Sequence, residues 1–159
     1  MDTALLRVLN ALRGFSKMDF NEMVRVCWEA AKQAEATAYL FVAESPSSLE
    51  VMRSVFHGNG NTSIVVTCDS RGDTVVQNVD SPYMDCLPIR TPVKISQAES
   101  EAYLYGANHG DDWVSVTLRA PLGPEPYNPL YIYTYSNDRT GAATYWAVDS
   151  TDGSVFQLF

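Results

Sequence analysis

The side chains best suited to chemistry in this 159-residue chain are two imidazoles, three thiols and a scatter of carboxylates. His57 and His109 stand alone. Neither has a second histidine or a cysteine pair at the helical or turn spacing that a zinc site needs. His57 follows Phe56 at what reads as a helix end, where an imidazolium complements the dipole. His109 precedes Gly110-Asp111-Asp112 and makes a His–Asp dyad only if a helix-to-strand turn holds the two together. Cys27, Cys68 and Cys86 carry no nucleophile signature, and a catalytic thiolate needs a histidine placed beside it by the fold. GxSxG, HExxH and the phosphate-cradling glycine loop are all missing from the sequence. Gly58-Asn59-Gly60-Asn61 lacks the further glycine of GxGxxG and precedes a strand pattern. Asp111-Asp112 and Asp149 with Asp152 do not have EF-hand spacing, so turn and cap roles suit them better. Arg71-Gly72-Asp73 is the tripeptide that integrins read, yet a hairpin turn wants the same Gly and Asp. The expectation is a protein with no catalytic centre, no metal site and no cofactor.

Composition narrows the partners. Hydrophobic residues make up 46% and charged residues 19%, enough apolar material for a packed core. Eleven basic residues against 19 acidic ones give a net charge of −8, and such a surface repels phosphate backbones. Nucleic acid is therefore excluded as a partner, while a basic protein surface is not. The cysteine count is odd and lacks CxxC spacing, so free thiols in a reducing compartment are expected. A Cys68–Cys86 disulfide is the alternative for an oxidising one. The opening MDTALLRVLNALRGF lacks the basic start and uninterrupted apolar run of a signal peptide, and nowhere are there 18 consecutive apolar residues. The expected location is cytoplasmic, away from the membrane.

The elements that must position these residues follow from periodicity. Residues 3–13 carry an amphipathic helical stripe that stops at Gly14. Asp19 and Glu22 form an Asp variant of the capping box, with Met18 and Met23 at staple positions, opening a helix to about residue 36. Residues 38–43 read as a strand, with a prolonged helix as the alternative, and residues 47–57 as a short helix. Strands at 63–67 and 74–79 flank a hairpin turn. A Pro-marked connector leads to Ser96 and Glu99, a regular capping box that starts a helix over 96–106. Alternating residues at 114–118 and 130–135 and a hairpin of 145–148 with 154–159 complete a β-rich end. The fold class is α+β, with helices packed on one face of antiparallel sheets.

The turn at Cys68-Asp69-Ser70-Arg71-Gly72-Asp73-Thr74 echoes Val148-Asp149-Ser150-Thr151-Asp152-Gly153-Ser154. Both lie downstream of a capped helix, which suggests an internal duplication. The chain then divides into an N-terminal helix (1–14), a first helix-plus-sheet unit (15–80), a connector (81–91) and a second unit (92–159). The second unit resembles the PepSY domain. The residues that carry the likeness are Lys94-Ile95-Ser96 opening an Ala- and Glu-bearing helix, the strands Trp113–Leu118 and Leu130–Tyr135, and the ending Tyr145-Trp146-Ala147-Val148-Asp149, then Gly153-Ser154-Val155. The resemblance implies a helix packed on an antiparallel sheet and a non-catalytic, binding or inhibitory role, with residues 15–80 a diverged copy.

One face invites a partner. Tyr131, Tyr133 and Tyr135 share one side of a strand, and Tyr145 or Trp146 on the next strand extends it. Tyrosine and tryptophan bury area while keeping a polar handle, as interfaces require. The expected partner-binding residues are Tyr131, Tyr133, Tyr135 and Trp146; the competing expectation is that a helix covers them. Three functions follow: a non-enzymatic protein-binding or inhibitory module of PepSY-like or cystatin-like build, a small-molecule carrier or enzyme with an aromatic-lined pocket, or an acidic decoy that blocks a basic partner.

Overall fold

Asp19 opens α1 (Phe20–Ala34) by accepting the backbone N–H of Glu22 at 2.8 Å. Phe20, Met23, Val24, Cys27, Ala30 and Ala31 recur at helical spacing, and all are buried. Ser96 and Glu99 form the reciprocal capping box of α2 (Gln97–Gly106). The computed structural model describes residues 17–90, 93–107, 110, 112–122, 128–136 and 140–158. The expected N-terminal helix, His109 and Asp111 lie outside them.

Four strands follow each helix. β1 (Leu40–Pro46), β2 (Val51–His57), β3 (Ser63–Asp69) and β4 (Thr74–Val79) come after α1. β5 (Trp113–Arg119), β6 (Leu130–Ser136), β7 (Ala143–Asp149) and β8 (Val155–Leu158) come after α2. All eight join one antiparallel sheet in the order β4-β3-β2-β1-β5-β6-β7-β8. The protein is thus α+β, with a single merged sheet. Its seam is β1 against β5, from Val42 opposite Arg119 to Pro46 opposite Ser115.

Residues 51–57 form a strand, which corrects the short helix expected over 47–57. Met52, Ser54 and Phe56 face the core while Val51 and Arg53 are exposed, an alternation of period two. The Ser47-Ser48-Leu49-Glu50 segment that mimics a helix start is a hairpin connection. Leu49 adopts a left-handed φ of 55° and donates its N–H to the Pro46 carbonyl at 2.9 Å.

One side of the sheet carries the helices. Leu40, Met52, Phe56, Ile64, Val66, Cys68, Val116, Leu118, Tyr131, Tyr133 and Val148 belong to one buried cluster with the α1 residues and Leu104 of α2. That cluster runs through both halves of the chain. On the opposite side, Phe41, Val42 and Val55 form a smaller cluster closed by Tyr83 and Cys86 of the connector. The connector then passes over the end of the seam, where Leu87 donates its N–H to the Ala120 carbonyl and Ile89 to the Leu40 carbonyl, both at 2.8 Å. It fills the gap where the two central strands diverge.

The two Asp-Ser turns make the same connections. Ser70 N–H donates to the carbonyl of Glu50, the residue before β2, and Ser150 N–H to that of Pro129, the residue before β6. The Ser70 carbonyl accepts the N–H of Met18, and the Ser150 carbonyl that of Ile95, each one residue before its helix cap. Asp69 and Asp149 use a carboxylate oxygen to accept the N–H two residues on. In each half the turn ties the start of a helix to the start of a strand.

Candidate functional site

Tyr131 and Tyr133 lie on the helix-covered side and are fully buried, with 0% exposure. The Tyr131 hydroxyl donates to the Ile95 carbonyl at 2.6 Å and accepts from Asn21 Nδ2 at 3.0 Å. Asn21 in turn accepts the Gln97 N–H at 2.8 Å. The Tyr133 hydroxyl meets Ser100 Oγ, the Gln97 carbonyl and Gln97 Nε2. Rings pack around them: Phe20 edge-on to Tyr131 at 6.0 Å and Trp113 edge-on to Tyr133 at 5.0 Å. Burial disfavours the phenolate, pushing Tyr131 up to about 12 and raising Tyr133 as well. Tyr135 and Trp146 are half-buried on the same side, Tyr135 donating to the Gly110 carbonyl at 3.0 Å. The face expected to meet a partner is therefore the floor under α2, and Tyr131 and Tyr133 are not accessible on it. The competing expectation of a helix-covered face describes their placement.

The opposite face is where the two halves differ. On β1–β4 the connector covers part of it. On β5–β8 the connector reaches Arg119, which donates to the Asp85 carbonyl at 2.7 Å, and Ala147 is buried there, while aromatic side chains farther along the sheet stay partly exposed. Tyr145 and Phe156, 38% and 39% exposed, project there because their neighbours Trp146 and Val155 turn toward the core. Tyr145 pairs with Leu158 across β7 and β8, and Phe156 with Ala147, which pairs with Ile132 on β6. Phe156, Ala147 and Ile132 form a row across three strands, with Tyr145 and Leu158 beside it. Sequence reasoning passed over Phe156 and Ile132. The signal was present in the alternation: once the helix takes the tyrosine face of β6, the other shows Leu130, Ile132 and Thr134.

The remaining candidates serve structure. His57, at the end of β2 rather than of a helix, stacks on Tyr39 with centroids 4.6 Å apart. Its Nε2 lies 3.1 Å from the Gly60 carbonyl oxygen, which can only accept, so that nitrogen carries the proton. Asp149 is buried and accepts from Thr151 N–H and from Asn128 Nδ2. The Ser154 N–H holds the Asp152 carboxyl below its usual range. Both act as turn caps. All three cysteines are free and buried. Cys68 sits in the core under α1, donating to the Asp69 carbonyl at 3.1 Å, while Cys86 lies beneath the other face, donating to the Phe41 carbonyl at 3.2 Å. A sheet separates the two members of the expected alternative disulfide.

A cavity of about 240 Å³ opens between α1, the seam and the connector. Val24, Trp28, Leu40, Ile89, Val93 and Leu118 line it, with Arg90 at its polar side. Arg90 also lies over the Tyr39 ring, 5.4 Å from its centroid. The chain matches no protein-family model, no curated protein and no solved structure.

Proposed function

We propose that this chain is a non-enzymatic protein-binding module whose docking face is the helix-free side of β5–β8. The supporting observation is the asymmetry of that side. Connector residues Tyr83 and Cys86 close it over Phe41, Val42 and Val55 in one half, whereas in the other Tyr145 and Phe156 are exposed and Ile132 is half-buried. Exposed aromatics set in a rigid sheet offer area at low entropic cost. The net charge of −8 favours a basic partner, in keeping with an inhibitory or decoy role. The repeated element order and the matched hydrogen bonds of the two Asp-Ser turns support a duplicated unit. The likeness of residues 92–159 to the PepSY domain belongs to the same reading. The test is comparative capture. Wild-type protein and a Tyr145→Ser/Phe156→Ser double variant are used as baits in lysate of the source cells. These exposed positions cost little stability, about 0.5 kcal/mol each. A bound protein retained by the wild type and lost by the equally stable variant supports the face; identical capture by both sinks it.

A second reading rests on the cavity at the seam. Six apolar side chains, the Asn21 amide and one guanidinium suit a small amphiphile with an anionic end. Trp28 lines that cavity, so its emission should change saturably as anilinonaphthalene sulfonate is added. A Leu118→Phe variant, which fills the space, should abolish the response; an unchanged response places the dye elsewhere.

A further inference from the structure

Among the described residues, the outer edge of β4 has no strand beside it. Its residues, Thr74-Val75-Val76-Gln77-Asn78-Val79, include neither a charge nor a proline, two devices by which proteins close an edge against pairing. The ladder with β3 fixes which backbone groups remain available. Asp69 N–H donates to the Asp73 carbonyl at 3.0 Å, and the same register pairs Thr67 with Val75, Val65 with Gln77 and Ser63 with Val79. In an antiparallel ladder these alternate residues turn their amides inward. Thr74, Val76 and Asn78 therefore turn theirs outward, and no described group receives them. Val75 is 69% exposed, and Val76, on the other side of the strand, is 40% exposed. The edge offers a row of donors and acceptors with an apolar side chain on each flank.

We infer that the β4 edge is a strand-addition site for an extended segment of a partner protein, with a β-branched centre and Lys or Arg at its ends. Strand addition takes its affinity from main-chain hydrogen bonds and its selectivity from side chains beside them. The selectivity here is electrostatic. Asp73 and Asp80 bracket the uncharged run, so basic residues at the ends of a guest strand meet a carboxylate at each end. The same brackets disfavour a second copy of this chain. Self-pairing centred on Val76 brings Asp80 of one copy close to Asp73 of the other, and each copy carries a net charge of −8. This site lies at the opposite end of the sheet from β7 and β8, so it stands or falls independently of the face proposed above.

The experiment is selection of random ten-residue peptides displayed on phage against the full chain, followed by titration of the enriched peptides. The expected result is sequences with Val, Ile or Thr at alternate positions and Lys or Arg at the ends. Val76→Pro removes one outward N–H and leaves the ladder to β3 intact, as edge positions allow. It should weaken those peptides about tenfold, the value of one hydrogen bond, with an unchanged melting curve. Should that variant melt early, Gln77→Lys serves instead, because it places a charge on the edge without touching a backbone donor. No enrichment, acidic ends, or undiminished binding to both variants would overturn the inference. So would a dimer in sedimentation that Val76→Pro dissolves, which would make a second copy the occupant.

Discussion

Tyr133 ends among Ser100 Oγ, the Gln97 carbonyl and Gln97 Nε2, so its ring fills the core while its hydroxyl fastens α2 to the sheet. The two roles separate by mutation. Tyr133→Ala leaves a cavity and should cost about 3–5 kcal/mol in a denaturant melt, as large aromatic truncations do. Tyr133→Phe keeps the packing and strands buried polar partners, for a loss of about 1–3 kcal/mol. A Tyr133→Ala variant as stable as wild type would mean that α2 does not cover this ring. Both buried phenols also set an alkaline limit. A free phenol titrates near about 10, and burial raises Tyr131 to about 12 with Tyr133 raised too. A raised pKa means that the folded state holds its proton more tightly than the unfolded chain does. The resulting stabilisation is whole below about pH 10 and is lost as pH climbs through about 12. Urea midpoints should accordingly fall across that window, and less steeply in Tyr131→Phe; equal slopes would exclude Tyr131 as a source.

Ten residues make α2 too short to hold its shape in water by itself, so its cap and its tertiary contacts decide whether it forms. Ser96→Ala removes the acceptor for the Glu99 N–H and should cost about 1 kcal/mol, with the loss read from thermal or urea unfolding. A change within error would mean that the hydrogen bonds of Tyr131 and Tyr133 alone hold the helix start. α1 was legible in the sequence because a cap and an apolar stripe mark the same boundary. α2 was legible from its capping box alone, since the apolar face expected on Ala98, Ala102, Tyr103 and Leu104 is exposed except for Leu104, and the helix buries Gln97 and Ser100 beside it. β2 was not, because Ser47-Ser48-Leu49-Glu50 imitates a helix start, and only the left-handed backbone at Leu49 shows it to be a turn. The alternation of β6 was legible, but not the side on which a helix would settle. Leu130 and Ile132 on one face are as apolar as the tyrosines on the other. What decides is reach: a phenol is long enough to bond the backbone at Ile95 and Gln97 from the sheet below. That distance lies outside any strand's own pattern.

The buried cluster under the helices extends from Met18 and Phe20 in one half to Tyr133 and Val148 in the other, so the halves should not unfold separately. Calorimetry is expected to show one transition, with calorimetric and van't Hoff enthalpies equal. Two resolved transitions would mean that the seam between β1 and β5 is a boundary between independent units. Among the described residues no helix is long and apolar enough to cross a membrane. The seam has a geometric consequence of its own. It joins the first strand of one helix-and-meander set to the first strand of the other, running antiparallel. Two like bodies that meet through the same patch are related by an approximate two-fold axis, and such isologous contact is used up once made. Repeat proteins that stack head to tail can extend without limit, because each copy leaves a fresh surface for the next. Here the first strand of each half already has the other beside it, so neither β1 nor β5 keeps an open edge, and the sheet can grow only at β4 or β8.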